Sequence, residues 1–182
     1  MTVLVAGTVM LLPVAAFQGG FAEMTIRSYV LAAVSGVVFG LASLGLYGAF
    51  RIGPVRLVAP IIGAYPVVSV GWATMMGASI SAWQWLAVIV VVLGVALVAV
   101  LSDSEETHGE TLRAVVLSIL AGVGYAATFA TSQAAVRYGA EMPVILSGRI
   151  AAAATVAAVA AECLNRRTSK QPSAKARTRS GA

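Results

Sequence analysis

Hydrophobic residues in this chain come in long unbroken runs, and the charged residues fall between them. No Asp, Glu, Lys or Arg occurs from Met1 to Ala22, from Tyr29 to Phe50, from Leu57 to Ser102 or from Ala114 to Val136. A hydrocarbon layer of about 30 Å takes roughly 20 helical residues at 1.5 Å rise, so each run can span one and Leu57 to Ser102 can span it twice. The break in that long run lies at Ser79 to Gln84, where polar groups and the interfacial Trp83 mark a surface turn. A sixth run, Met142 to Cys163, is interrupted by Arg149 and, near its end, by Glu162. The pattern predicts helices near 2–17, 29–50, 56–77, 84–101, 113–135 and 142–163. The runs are apolar on every side, as at Val88 to Leu93, and lack the alternation of barrel strands. Helices also satisfy every backbone group where there is no water. The expected fold class is an all-α integral membrane protein with about six transmembrane helices.

Composition agrees: 59% of the residues are hydrophobic and 10% charged, whereas a soluble domain carries about a quarter charged. The first run has no basic stretch before it and reads as a retained helix rather than a cleaved signal. Cys163, the single cysteine, excludes an internal disulfide and reads as a small apolar filler at a helix end. The chain divides into a four-helix membrane part (1–101), an acidic linker (102–112) holding Asp103, Glu105, Glu106 and Glu110, a two-helix membrane part (113–163) and a basic tail (164–182). His108 in the linker has neither Cys nor a second His beside it, so a solvated loop histidine is expected and no metal site. Net charge is +5, but Arg166, Arg167, Lys170, Lys175, Arg177 and Arg179 crowd into a tail without aromatics. That tail reads as a disordered topology anchor or a contact for anionic headgroups, not as a nucleic-acid surface. No Ser/His/Asp set, carboxylate pair, metal cluster or phosphate loop is visible; no catalytic residue, cofactor or metal is expected, and the chain reads as a non-enzyme. Arginine-rich basic positions and abundant Ala, Val and Gly hint at bacterial coding, hence a bacterial plasma membrane.

Polar and small residues inside the runs are the candidate functional positions. Gly36 and Gly40 form a GxxxG element continued by Ser43 and Tyr47 on one face, the pattern of close helix packing. Tyr65, Ser69, Trp72 and Met76 share a face of the third run; Ser118, Ala121, Tyr125, Thr128 and Ser132 share one of the fifth. Such faces either line a weakly polar, aromatic cavity for an organic solute or satisfy one another between helices. Arg149 is the costliest residue, roughly 10 Å into its helix, where insertion costs up to about 2.5–3.5 kcal/mol at the centre. It either snorkels toward Glu141 or faces a cavity. The substrate-cavity candidates are therefore Tyr47, Tyr65, Ser69, Trp72, Tyr125, Thr128, Ser132 and Arg149. Pro60 and Pro66 within one run predict a kink.

Leu46 to Pro60, with Tyr47, Gly48, Arg51, Gly53 and Pro54, followed by Tyr65, Pro66 and Gly77, resembles the third and fourth helices of an EamA-type repeat of the drug/metabolite transporter superfamily. Gly94 to Val98 resembles the fifth. Arg113 to Arg167, with Gly124, Tyr125, Tyr138, Gly139, Pro143, Gly148 and Arg149, is similar to the opening two helices of a second repeat. The resemblance implies inverted five-helix halves with a solute cavity between them. It departs from the family in lacking the first helix of one half and the last three of the other, and in carrying Ala78 where the family often has glutamate. Met1 to Gly7 and Met142 to Gly148 match at Met, Val and Gly, as an internal repeat would. Placing the tail in the cytoplasm puts Arg51, Arg56 and Arg113 inside with it and leaves Arg27 and Arg137 outside, the positive-inside arrangement; the family register implies the reverse. The expected function is an EamA-type permease for a small organic metabolite or drug. The alternative is a non-transporting remnant or small helical subunit. Expected partners are the lipid bilayer, a small organic solute, and a second copy or a partner supplying the missing half.

Overall fold

The computed structural model describes residues 2–101 and 111–169, and their regular structure is helical throughout. The helices are α1 (Thr2–Gln18), α2 (Ile26–Ile52), α3 (Val55–Gly63), α4 (Tyr65–Met75), α5 (Ala82–Leu101), α6 (Thr111–Val136) and α7 (Glu141–Ser169), with one 3₁₀ turn at Phe21–Glu23. Four stretches are long and apolar enough to cross a bilayer: Ile26–Ile52, Val55–Met75 across α3 and α4, Thr111–Val136 and Glu141–Arg166. Ala6–Gln18 and Ala82–Leu97 are shorter apolar helical stretches. His108, the acidic side chains of the linker and the tail from Lys170 onward lie outside the described residues.

Local chemistry sets the helix ends. Thr25 caps α2 by accepting from the Ser28 N–H at 3.3 Å. Ser81 and Gln84 form a reciprocal cap at the start of α5: the Ser81 N–H donates to Gln84 Oε1 at 2.8 Å and the Gln84 N–H to Ser81 Oγ at 3.3 Å. Gly77, at φ 86°, reverses the chain between α4 and α5 in a conformation other residues resist. The run carrying the two prolines is interrupted at Ala64, which keeps a helical conformation (φ −77°, ψ −6°) between α3 and α4. Pro66 sits in the first turn of α4, where an amide N–H would have no helical partner anyway, so a new helix starts there at little cost. At the other end, α7 continues past Cys163 as far as Ser169, so residues 164–169, expected in a disordered tail, are helical. Arg166, in the last turn of α7, complements the helix dipole. Cys163 is exposed on α7.

Helix α2 is the hub, packing most extensively on α6 and α7; α3 and α4 lie along α6, α5 along α3, and α1 along α7. Ser28 of α2 donates to the Ala135 carbonyl of α6 at 3.0 Å, Ser43 meets Tyr125, and Gly53 meets Ala114, so α2 and α6 run antiparallel. Gly36 lies against Gly148 and Ala151, and Gly40 against Ala152 and Thr155, so α2 and α7 run parallel. This topology gathers Arg51, Arg56 and Arg113 at one end of the bundle and Arg27 and Arg137 at the other, where Thr25 Oγ1 donates to the Tyr138 carbonyl at 2.9 Å.

The interior is built of small residues and the exterior of large apolar ones, the reverse of a water-soluble bundle. Ala32, Ala42, Ala49, Ala114, Ala121, Ala135, Ser28 and Ser118 are buried, while Leu93, Leu97, Leu120 and Ile119 are exposed. With lipid outside there is no hydrophobic force between helices, and close backbone approach supplies the contact. The chain is accordingly a membrane-embedded protein. Its helix contacts form two clusters, Ala49, Val58, Ile62, Ala114 and Ala121 toward the Arg113 end and Ala32, Ala135 and Val144 toward the Arg137 end.

A Cβ on Gly36 would collide with the Gly148 carbonyl, whereas one on Gly71 would meet nothing within 4 Å. We expect Gly36→Val to destabilise the detergent-solubilised protein by about 1–3 kcal/mol, as overpacking does, and Gly71→Ala to leave thermal stability nearly unchanged. Equal melting temperatures for the two variants would contradict the α2–α7 contact.

Candidate functional site

Between the two packed clusters the bundle is less well filled. A cavity of about 130 Å³ opens among α2, α6 and α7, bordered by Ser35, Phe39, Thr128, Ser132, Gly148 and Arg149. A second, of about 570 Å³, lies between α4 and α6 toward the Arg137 end, bordered by Ser69, Trp72, Met76, Phe129, Gln133 and Arg137. The larger falls in the size range of small-molecule sites. Four rings form a continuous partition from one space to the other. Phe39 meets Tyr125 edge-on at 5.5 Å between centroids; Tyr125 meets Tyr65 at 5.8 Å, and Tyr65 stacks on Phe129 at 5.7 Å with an interplanar angle of 8°. Phe39 borders the smaller cavity and Phe129 the larger. Ser43 Oγ lies 3.2 Å from the Tyr125 hydroxyl, which fixes the middle of the partition to α2.

The residues singled out from sequence divide among these places. Thr128, Ser132 and Arg149 line the smaller cavity, and Ser69 and Trp72 the larger. Tyr65 and Tyr125 stand between them. Tyr47 is 61% exposed on the outer face of α2 and borders neither cavity. Gly36 is at the α2–α7 contact and on the rim of the smaller cavity; Gly40 is buried in the same contact. The face of α6 is split lengthwise: Ser118 and Ala121 are core, while Thr128 and Ser132 face open space. Phe39, Phe129 and Gln133 escaped the sequence reading. The two phenylalanines are apolar residues in apolar runs, but Gln133, one turn from Arg137 and inside a run, was a visible signal.

Most hydroxyls here are already used by their own helices. Ser35 donates to the Ala32 carbonyl at 2.9 Å, Thr128 to Gly124 at 2.9 Å and Ser69 to Tyr65 at 3.0 Å. Each keeps acceptor capacity only, so the walls are poorer in donors than their composition implies. Arg149 is the strong donor. Its Nη1 lies 2.6 Å from where a Cβ on Gly7 would sit, so the side chain crosses from α7 toward α1. The described carboxylates are Glu23, Glu141 and Glu162; Glu141 and Glu162 lie two or more turns away along α7, and Glu23 lies in the turn after α1. Among the described residues, no three His, Cys, Asp or Glu side chains come together as a metal site would need.

A double-mutant cycle on Ser43→Ala and Tyr125→Phe checks the partition. The expected coupling is about 0.6 kcal/mol, the average for hydrogen bonds between helices in lipid, and strict additivity would mean the contact contributes nothing. Comparison with family models, with curated proteins and with solved structures finds no match, so the chemistry of these cavities is read from their own geometry.

Proposed function

We propose that this chain is a multi-pass permease of the bacterial plasma membrane, of the EamA type, that handles a small organic metabolite or drug in the spaces between α2, α4, α6 and α7. The observation that carries this reading is the pair of cavities joined by one aromatic partition. A bundle that serves only to pack has no use for a space of about 570 Å³ beside a tryptophan, a glutamine and an arginine. The broken α3–α4 segment supports it as well, because Tyr65 of the partition directly follows the break at Ala64, where a small backbone rotation would move the ring. In this reading α1 and α5 also cross the membrane, giving six spans. The end bearing Arg51, Arg56 and Arg113 faces the cytoplasm together with the tail, by the positive-inside rule. The cavities then lie nearer the external end, and the cluster around Val58 and Ala114 seals the cytoplasmic one.

A second reading, a non-transporting subunit that packs on a partner, draws on Gly71 and Gly94, which have open space around them on α4 and α5. Proteoliposomes separate the two. Vesicles holding the purified chain and loaded with a mixed set of aromatic and aliphatic metabolites are expected to lose some of them faster than empty vesicles do. Trp72→Ala and Tyr65→Ala should slow that loss severalfold without changing the yield of folded protein. Identical retention in filled and empty vesicles for every solute would leave the subunit reading.

Orientation is checked separately. Alkaline phosphatase fused after Ala182 is expected to be inactive and a cytoplasmic fluorescent reporter at the same place bright; the opposite pair of results reverses the topology.

A further inference from the structure

Arg149 carries a charge into the part of the bundle with the least to neutralise it. Its helix position puts it eight residues beyond Glu141, about 12 Å along α7. It borders the cavity shared by α2, α6 and α7, and among the described residues no carboxylate pairs with it. Gly7 of α1 leaves room for the guanidinium on its other side; a larger residue there would fill the seat. The same cavity presents the hydroxyls of Ser35, Thr128 and Ser132, the first two with their protons committed to backbone carbonyls. A guanidinium in a low-dielectric surrounding needs an anion, and its planar fork suits the two oxygens of a carboxylate. At about 130 Å³ the cavity accepts such a group with a few waters of about 30 Å³ each, but not a whole drug-sized molecule.

From this we infer that the Arg149 cavity is an anion subsite: it takes the carboxylate, or an equivalent small monoanionic end group, of an organic solute whose body lies outside it. The Arg149 guanidinium binds the two oxygens, and Ser132 supplies a hydroxyl donor beside them. The inference deepens the permease reading and rests on it only for the source of the anion; the subsite's chemistry is independent of whether the solute is moved.

The test is binding to the purified full-length chain in nanodiscs, by calorimetry, with benzoate, its neutral isostere benzamide and the cation benzylamine as probes. Wild-type protein is expected to prefer benzoate over benzamide by about ten- to a hundredfold, the range for a charge-assisted hydrogen-bonded pair. Arg149→Gln should abolish the preference, bringing benzoate affinity down to that of benzamide. Arg149→Lys, which keeps the charge and loses the fork, should retain a reduced preference. Equal affinity for benzoate and benzamide in the wild type overturns the proposal without any variant, and so does an undiminished preference in Arg149→Gln. Carboxylate binding without flux in proteoliposomes would count against the permease and leave the subsite standing. Flux of neutral solutes by a chain blind to carboxylates would do the reverse.

Discussion

The bundle depends on how closely α2 can approach its two neighbours. Toward α7 it offers Gly36 and Gly40, and toward α6 it offers Ala42, Ser43, Gly45 and Ala49, so one helix carries two grooves with almost no side-chain volume in either. In water such a surface would be a poor core, because small residues bury little apolar area. In lipid the calculation changes, since large side chains gain nothing by leaving hydrocarbon for hydrocarbon and contact distance decides the packing. That is why Leu93 and Leu97 point outward while Ala32 and Ser28 are fully buried.

The same constraint creates the cavities. Where two backbones touch through glycine, as at Gly36 and Gly148, no side chain remains to fill the space beside the contact, and α6 and α7 touch each other only slightly at that level. The open volume is thus a consequence of close packing next to it. Polar groups then sort by reach. Serine and threonine satisfy themselves on their own helix, as Ser118 does on the Ala114 carbonyl at 2.7 Å, and so cease to be polar toward the cavity. The donors left for the two spaces come chiefly from Arg149 and Ser132 in one and from Trp72, Gln133 and Arg137 in the other.

This sorting explains what could and could not be read from the residues alone. The break before α5 was legible because polar groups at Ser79 to Gln84 mark it locally. The start of α2 at Ile26, ahead of the expected 29, depends instead on the Thr25 cap, and the third run predicts one kinked helix where the structure has α3 and α4. The extra turns of α7 beyond Cys163 were not legible either, since hydropathy marks where the bilayer ends and not where a helix stops. Faces were only half legible. The stripe Ser118 to Ser132 is one face of α6 by spacing, yet α3 and α2 cover its first half tightly and leave its second half beside open space, a difference set by where helices meet along their length. Tyr47 shares a stripe with Gly36, Gly40 and Ser43, about three whole turns from Gly36, and is still exposed, because spacing does not say how far along a stripe a neighbouring helix reaches.

The two segments that share the Met, Val and Gly pattern, at the start of α1 and the start of α7, belong to helices that lie antiparallel: Gly20 approaches Ala140 at one end, and Gly7 approaches Arg149 further along. Gly7 faces the Arg149 guanidinium, whereas its counterpart Gly148 lies against Ala32 and Ser35 of α2, so the two matched glycines serve different contacts. The residues that follow them differ: Thr8 in α1 and Arg149 in α7. Of these two residues only Arg149 brings a charge to the contact between α1 and α7. A site with one guanidinium rather than two, beside a neutral groove, can hold a single negative charge and leave no excess positive charge in the bilayer once it does.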